Sequence, residues 1–198
     1  MRKLFGLIIG GLFILLLVSI YQMRVVNTTV LIQAGHEGRT KGNIGSMQGD
    51  LKEVDWNTLM SKEIEKELKK QNIDVTRVGA DIPIANARIA IAIHFDGSVR
   101  PCSTGASIGY DAEDIPSQKL AKAWRDIYES YFPFHWHKDN FTKNLADYYG
   151  FSRVHTEKGF LVLELGEITC QEQTAWLEPR LDIIATKVAD FIMEELDK

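Results

Sequence analysis

Three short runs constrain this 198-residue chain more than any other feature: TTVLIQA (28–34) is β-branched with an apolar centre, and AIAIHF (90–95) and GFLVLEL (159–165) are apolar at nearly every position. A strand with one wet face alternates polar and apolar residues, so runs like these are read as strands buried on both sides. Helical patterns lie between them. Asn57–Lys70 puts Leu59, Met60, Ile64 and Leu68 on one face, with Glu65 and Lys69 four residues apart on the other. Ser117–Tyr131 and Leu181–Leu196 read as two more helices, and Ile84–Ile91 as a short apolar helix leading into the second run. Ile73–Arg77 and Ser107–Tyr110 add two shorter strands. Strands alternating with helices predict a single α/β domain with a mainly parallel sheet.

The amino-terminal segment stands apart. Leu4–Tyr21 is eighteen residues without a charge, which at the helical rise spans most of a hydrocarbon core of about 30 Å. The segment runs on through Ser19, Ile20, Tyr21 and Gln22 with no small-residue cleavage site. Residues 1–26 are therefore expected to remain as an uncleaved transmembrane anchor, and 27–198 to form the domain. Arg2 and Lys3 set against Arg24 favour a cytoplasmic amino terminus. The expected arrangement is single-pass in the inner or cytoplasmic membrane, with the domain in the periplasm or outside the cell. The chain carries 27 acidic against 23 basic residues, and three of the basic ones fall within 1–26. An acidic body without a basic stripe argues against nucleic acid as a partner.

In open α/β sheets ligands collect beyond the carboxyl ends of the strands. Polar residues stand there in this chain. His36 follows the first run, His94 lies near the end of the second, and Glu164 sits inside the third. A carboxylate in so apolar a run is costly unless paired or metal-bound. The loop 35–50 holds Gly35, Gly38, Gly42, Gly45 and Gly49, suited to tight turning, but neither glycine-rich phosphate-binding pattern. Glu53 closes that loop and can fold back toward His36. Two histidines and a carboxylate form a catalytic zinc set with an open fourth position. Residue types alone leave the choice open, because His135, His137 and His155 are further candidates, the first two spaced to share a strand face.

The order of these residues resembles the zinc-dependent N-acetylmuramoyl-L-alanine amidases. VLIQAGHEGR (30–39) is similar to that family's opening strand and D-P-G-H-G-G-like turn, with His36 at the first zinc ligand. EVDWN (53–57) is similar to its E-x-x-x-N element, which carries the second ligand to Glu53. Thr76-Arg77, Arg88–Ala92 and AIHFDGS (92–98) resemble the T-R, R-x-x-x-A and S-I-H-A-N series, with His94 the third ligand. LVLELGEITC (161–170) looks like V-L-V-E-x-G-F-x-S-N and places the catalytic glutamate at Glu164 instead of Glu167. The resemblance implies a mixed sheet flanked by helices, a Zn2+ cofactor and a peptidoglycan substrate. The bond cut would join the lactyl group of N-acetylmuramic acid to L-alanine. Departures sit beside the site: Gln33-Ala34 for D-P, Phe95-Asp96 for A-N, Glu167 for the aromatic and Thr169-Cys170 for S-N. They keep open a zinc hydrolase of another amide, and a non-catalytic membrane-anchored domain that binds wall or partner.

The aromatic-rich stretch 132–158 follows the family poorly and is expected to line or to cover the groove. Arg39 and Arg88 are candidates to meet a stem-peptide carboxylate. Asp111–Asp114 reads as a solvated acidic turn. Cys102 and Cys170 are free to bridge in an oxidising compartment, but spacing alone leaves their pairing open.

Overall fold

The computed structural model describes residues 25–198. The expected membrane segment, Leu4–Tyr21, lies outside them, and among the described residues no helix is long and apolar enough to cross a membrane. β1 (Val26–Asn27) and β2 (Val30–Ala34) lead into the glycine-rich loop, which carries a small hairpin of β3 (Met47–Gln48) and β4 (Leu51–Lys52). Then come α1 (Glu53–Lys70), β5 (Val75–Val78), β6 (Ala85–Asp96), β7 (Ala106–Gly109) and α2 (Ile115–Tyr128). The chain closes with α3 (Lys143–Ala146), β8 (Val154–Glu167), α4 (Gln171–Leu177) and α5 (Leu181–Asp197). The main sheet runs β5-β2-β6-β8-β7, with β1 also paired to β6. Every pairing in it is parallel except that of β7 with β8, so the sheet is mixed and mainly parallel.

The two sheet faces are covered differently. Ile89, Ile91, Ile93 and Phe95 of β6 and Leu161, Leu163 and Leu165 of β8 point to one face. There they meet Trp56, Met60, Ile64 and Leu68 of α1, Trp124 of α2 and Ile184, Val188 and Ile192 of α5. Each such buried side chain is worth about 1.5–3 kcal/mol of transfer free energy, so this face holds most of the core. Leu59 falls off the α1 stripe and stays exposed. On the other face the alternate residues are smaller: Ala90 and Ala92 of β6 and Val162 of β8 pack with Leu31, Leu145 and Phe160. Among the described residues no long helix lies over them. Phe141, Tyr148 and Phe151 cover them instead.

Two sequence expectations need correction. Ile84–Ile91 is no helix; from Ala85 it is the first half of the twelve-residue β6. Its burial alternates over Ala85, Asn86 and Ala87, and it pairs with β1 on one side and β8 on the other. Sheet pairing on both edges overrides the helical preference of its alanines. β8 likewise starts at Val154, five residues before the expected run, with a register irregularity opposite Ala87–Ile89. There Gly159 has φ +127°, and a Cβ would lie 2.8 Å from the Ser117 Cα, so only glycine fits. That contact seats β8 against the start of α2, whose cap is Asp114 accepting from the Ser117 N–H at 3.0 Å.

Cys102 and Cys170 form a disulfide with Cα atoms 4.5 Å apart, tying the loop after β6 to the head of α4. Glu167 lies beneath it, fully buried. Its carboxylate accepts from the N–H groups of Cys102 (2.9 Å) and Thr104 (2.7 Å) and from the Ser98 hydroxyl (2.9 Å). Burial pushes the Glu167 carboxyl up, but hydrogen bonds from Thr169, Thr104 and Ser98 more than offset this and hold it below the usual range. Glu167 thus organises a loop and does not face the groove.

Candidate metal centre and groove

The strand period of two decides what points into the site. His94 and Glu164 occupy the same parity as Ala92 and Val162, and they are register partners across β6 and β8. Both therefore project from the thinly covered sheet face. His36 lies just past the end of β2 with φ +64°, the left-handed region, which swings its ring back over the strand ends. Glu53 is the first residue of α1 and 3% exposed, where the helix dipole favours an acid.

These elements bring His36, Glu53 and His94 together. One ligand atom from each lies within 4.8 Å of the others, and no other such trio of His, Cys, Asp or Glu occurs among the described residues. His36 Nε2 and His94 Nδ1 are each 3.1 Å from Glu53 Oε1. Ligand atoms around a tetrahedral zinc, with bonds of about 2.0–2.2 Å, stand about 3.4 Å apart, so the donors are spaced to take such an ion. Their outward atoms are fixed as well. His36 Nδ1 meets the carbonyl of Asn43 at 3.0 Å, leaving Nε2 free to ligate. Glu53 Oε2 accepts from the Ser46 N–H at 2.8 Å, and Oε1 from the Asn57 amide at 3.0 Å. Burial raises the Glu53 carboxyl, but the hydrogen bonds from His36 and His94 win and hold it well below the usual carboxylate range. Burial lowers the His94 pKa, opposed by Glu53, which favours the neutral imidazole a metal needs.

Gly35 makes room for this arrangement, since a Cβ there would stand 2.4–2.6 Å from three atoms of the His94 ring. On its other side His94 Nε2 is 3.5 Å from the Tyr148 hydroxyl, which donates to Gln33 Oε1 at 2.9 Å. Gln33 is fully buried. Sequence reasoning missed Tyr148, because nothing marks it among the many aromatic residues of 132–158.

Glu164 lines the same groove. Its Oε2 is shielded from solvent and has no hydrogen-bond partner. Burial first, then the Glu53 and Asp96 carboxylates, push its carboxyl well above the usual range. Thr142, Asn144, Leu145, Asp147, Tyr148 and Tyr149 form the facing wall, so this part of 132–158 lines the groove. The other candidates fall elsewhere. The rings of His135 and His137 meet edge to face at 4.4 Å, but among the described residues no third ligand joins them. Arg88 donates to the Leu196 carbonyl at 2.9 Å and sits 3.4 Å from Glu157, away from the groove. Arg39 is in it.

A sequence model of the N-acetylmuramoyl-L-alanine amidase family matches residues 30–194. The chain belongs to this family. No curated protein sequence matches it. Among solved structures it is similar to the catalytic domain of the N-acetylmuramoyl-L-alanine amidase CwlV from Bacillus (Paenibacillus) polymyxa var. colistinus. The two are 20% identical, with 86% of this chain and 98% of that one covered and a TM-score of 0.65. It is also similar to an N-acetylmuramoyl-L-alanine amidase from Clostridium difficile 630 (21% identity, 88% and 98% covered, TM-score 0.64). A third, from Nostoc punctiforme, gives 19% identity, 87% and 98% covered and a TM-score of 0.62. At these identities the structural likeness establishes the amidase fold, while the sequence model supports peptidoglycan amidase activity.

Proposed function

We propose that this amidase is zinc-dependent and hydrolyses the amide between N-acetylmuramic acid and L-alanine in peptidoglycan. The supporting observation is the trio His36, Glu53 and His94 beside the unpartnered carboxylate of Glu164 on one sheet face. A zinc ion held by the three would polarise the scissile carbonyl and lower the pKa of water toward about 7. Glu164 is the general base: its Oε2 takes a proton from the attacking water and returns it to the leaving amine nitrogen. Asn43, Ser46 and Asn57 hold the ligand side chains in place before substrate arrives. The uncharged segment Leu4–Tyr21 supports a membrane anchor, with the domain on the outer side of the cytoplasmic membrane facing the wall.

Asp96 lines the groove where related proteins carry asparagine, which favours a second reading: the same chemistry on a different amide. The first test uses the full-length chain loaded with zinc. Glu164→Gln is expected to bind zinc as the wild type does and to lose turnover, whereas His36→Ala, Glu53→Ala or His94→Ala loses the metal. Wild-type rates in Glu164→Gln would remove the assigned base.

A further inference from the structure

The groove is about 630 Å³, and its walls carry Glu53, Asp96, Asp147 and Glu164, with Arg39 as the one lysine or arginine among the described residues. Arg39 is held from two sides. Its Nη1 donates at 3.1 Å to the Asn43 carbonyl, the same oxygen that fixes His36. Its guanidinium lies 5.5 Å over the Tyr149 ring, and the Tyr149 hydroxyl is tied to the Ala80 carbonyl at 2.5 Å. Among the described residues Arg39 has no carboxylate partner, as is true of Arg100, Arg153 and Arg180, but of these four it alone lines the groove. Its remaining N–H groups find no protein acceptor among those residues. A guanidinium so fixed, one residue contact from a metal ligand and with its Nε–Nη2 edge unused, is built for an anion.

We propose that Arg39 binds a carboxylate on the peptide side of the scissile amide, an assignment that rests on the amidase reading. Chemistry selects that side. N-acetylmuramic acid has a single carboxyl, and the amide consumes it, so any carboxylate reaching the groove belongs to the peptide. Apart from the metal site itself, Arg39 is the one cationic side chain lining the groove, so it is the protein group that can hold such a carboxylate away from the reacting amide. Arg39 therefore sets the direction in which the substrate lies across the metal centre, and it makes the enzyme prefer stems whose carboxyls are free over stems whose carboxyls are amidated.

The test compares N-acetylmuramoyl-L-alanyl-D-glutamate with both carboxyls free against the same compound with both amidated. The zinc-loaded wild type is expected to favour the diacid by about tenfold or more in kcat/KM, chiefly through KM. Arg39→Gln brings the ratio to about one, and Arg39→Lys, which keeps the charge without the fork, falls between. Equal use of both by the wild type, or a preference that survives Arg39→Gln, overturns the assignment and leaves the amidase reading standing. Cleavage of neither takes the comparison to binding: calorimetry of the two compounds on zinc-loaded Glu164→Gln, with and without Arg39→Gln, then decides. Tighter binding of the diacid only where Arg39 is present supports the site; equal binding or none overturns it.

Discussion

Gly35→Ala is the smallest change that reaches the centre of this account. The added Cβ would stand 2.4 Å from Cε1, 2.5 Å from Nε2 and 2.6 Å from Nδ1 of His94, where ordinary contact begins near 3.4 Å. The ring must therefore move by about 1 Å, yet it is confined by Glu53 on one edge and Tyr148 on the other. Zinc tolerates ligand displacements of only about 0.2 Å, so affinity is expected to fall by about a hundredfold or more. Overpacking adds about 1–3 kcal/mol of destabilisation, which leaves a domain with this core folded. Gly38→Ala is the control. At φ +85° it strains the backbone by about 1–2 kcal/mol, but its Cβ meets nothing within 4 Å, so zinc binding is expected to persist. Competition against a chromogenic chelator and thermal melting measure both quantities. Zinc bound by Gly35→Ala as tightly as by the wild type would refute the reasoning. So would equal loss of zinc in both variants.

Two further outcomes follow from the loop beside the groove. The disulfide joins residues 68 apart, so Cys102→Ala with Cys170→Ala should cost about 4 kcal/mol and lower Tm by about 10 °C, read by calorimetry. Glu167 is held below its ordinary pKa, so its stabilisation is present above the usual carboxylate range and lost as pH falls through the lowered value. Glu167→Gln should therefore be less stable than wild type at neutral pH, with the gap closing below about pH 4 in denaturant titrations; a gap that persists at low pH contradicts the carboxylate's role.

His36, His94 and Glu164 stood out because each is polar within or beside an apolar run, but residue types alone left the choice open and the family resemblance selected the set; strand parity then puts His94 and Glu164 on one sheet face. His94 and Glu164 needed only that their strands be neighbours, which β6 and β8 are. Glu53 was legible through Asn57, one helical turn on, which bonds it at 3.0 Å. The first half of β6 was not legible, since alternating alanines suit a helix until both edges find a strand. Val154–Lys158 was also missed, four of its five residues being polar where the sheet face opens to solvent. Tyr148 and the Cys102–Cys170 bridge depend on chain segments brought together from far apart, and no local pattern records such contacts.

The most direct measurement is digestion of purified peptidoglycan by the zinc-loaded protein in H₂¹⁸O, with the products read by mass spectrometry. Hydrolysis at the N-acetylmuramoyl–L-alanine amide places one ¹⁸O atom in the lactyl carboxylate and releases stem peptides with a free L-alanine amine, none of it in Glu164→Gln. Label found instead in a carboxyl of the stem peptide would contradict the assigned bond.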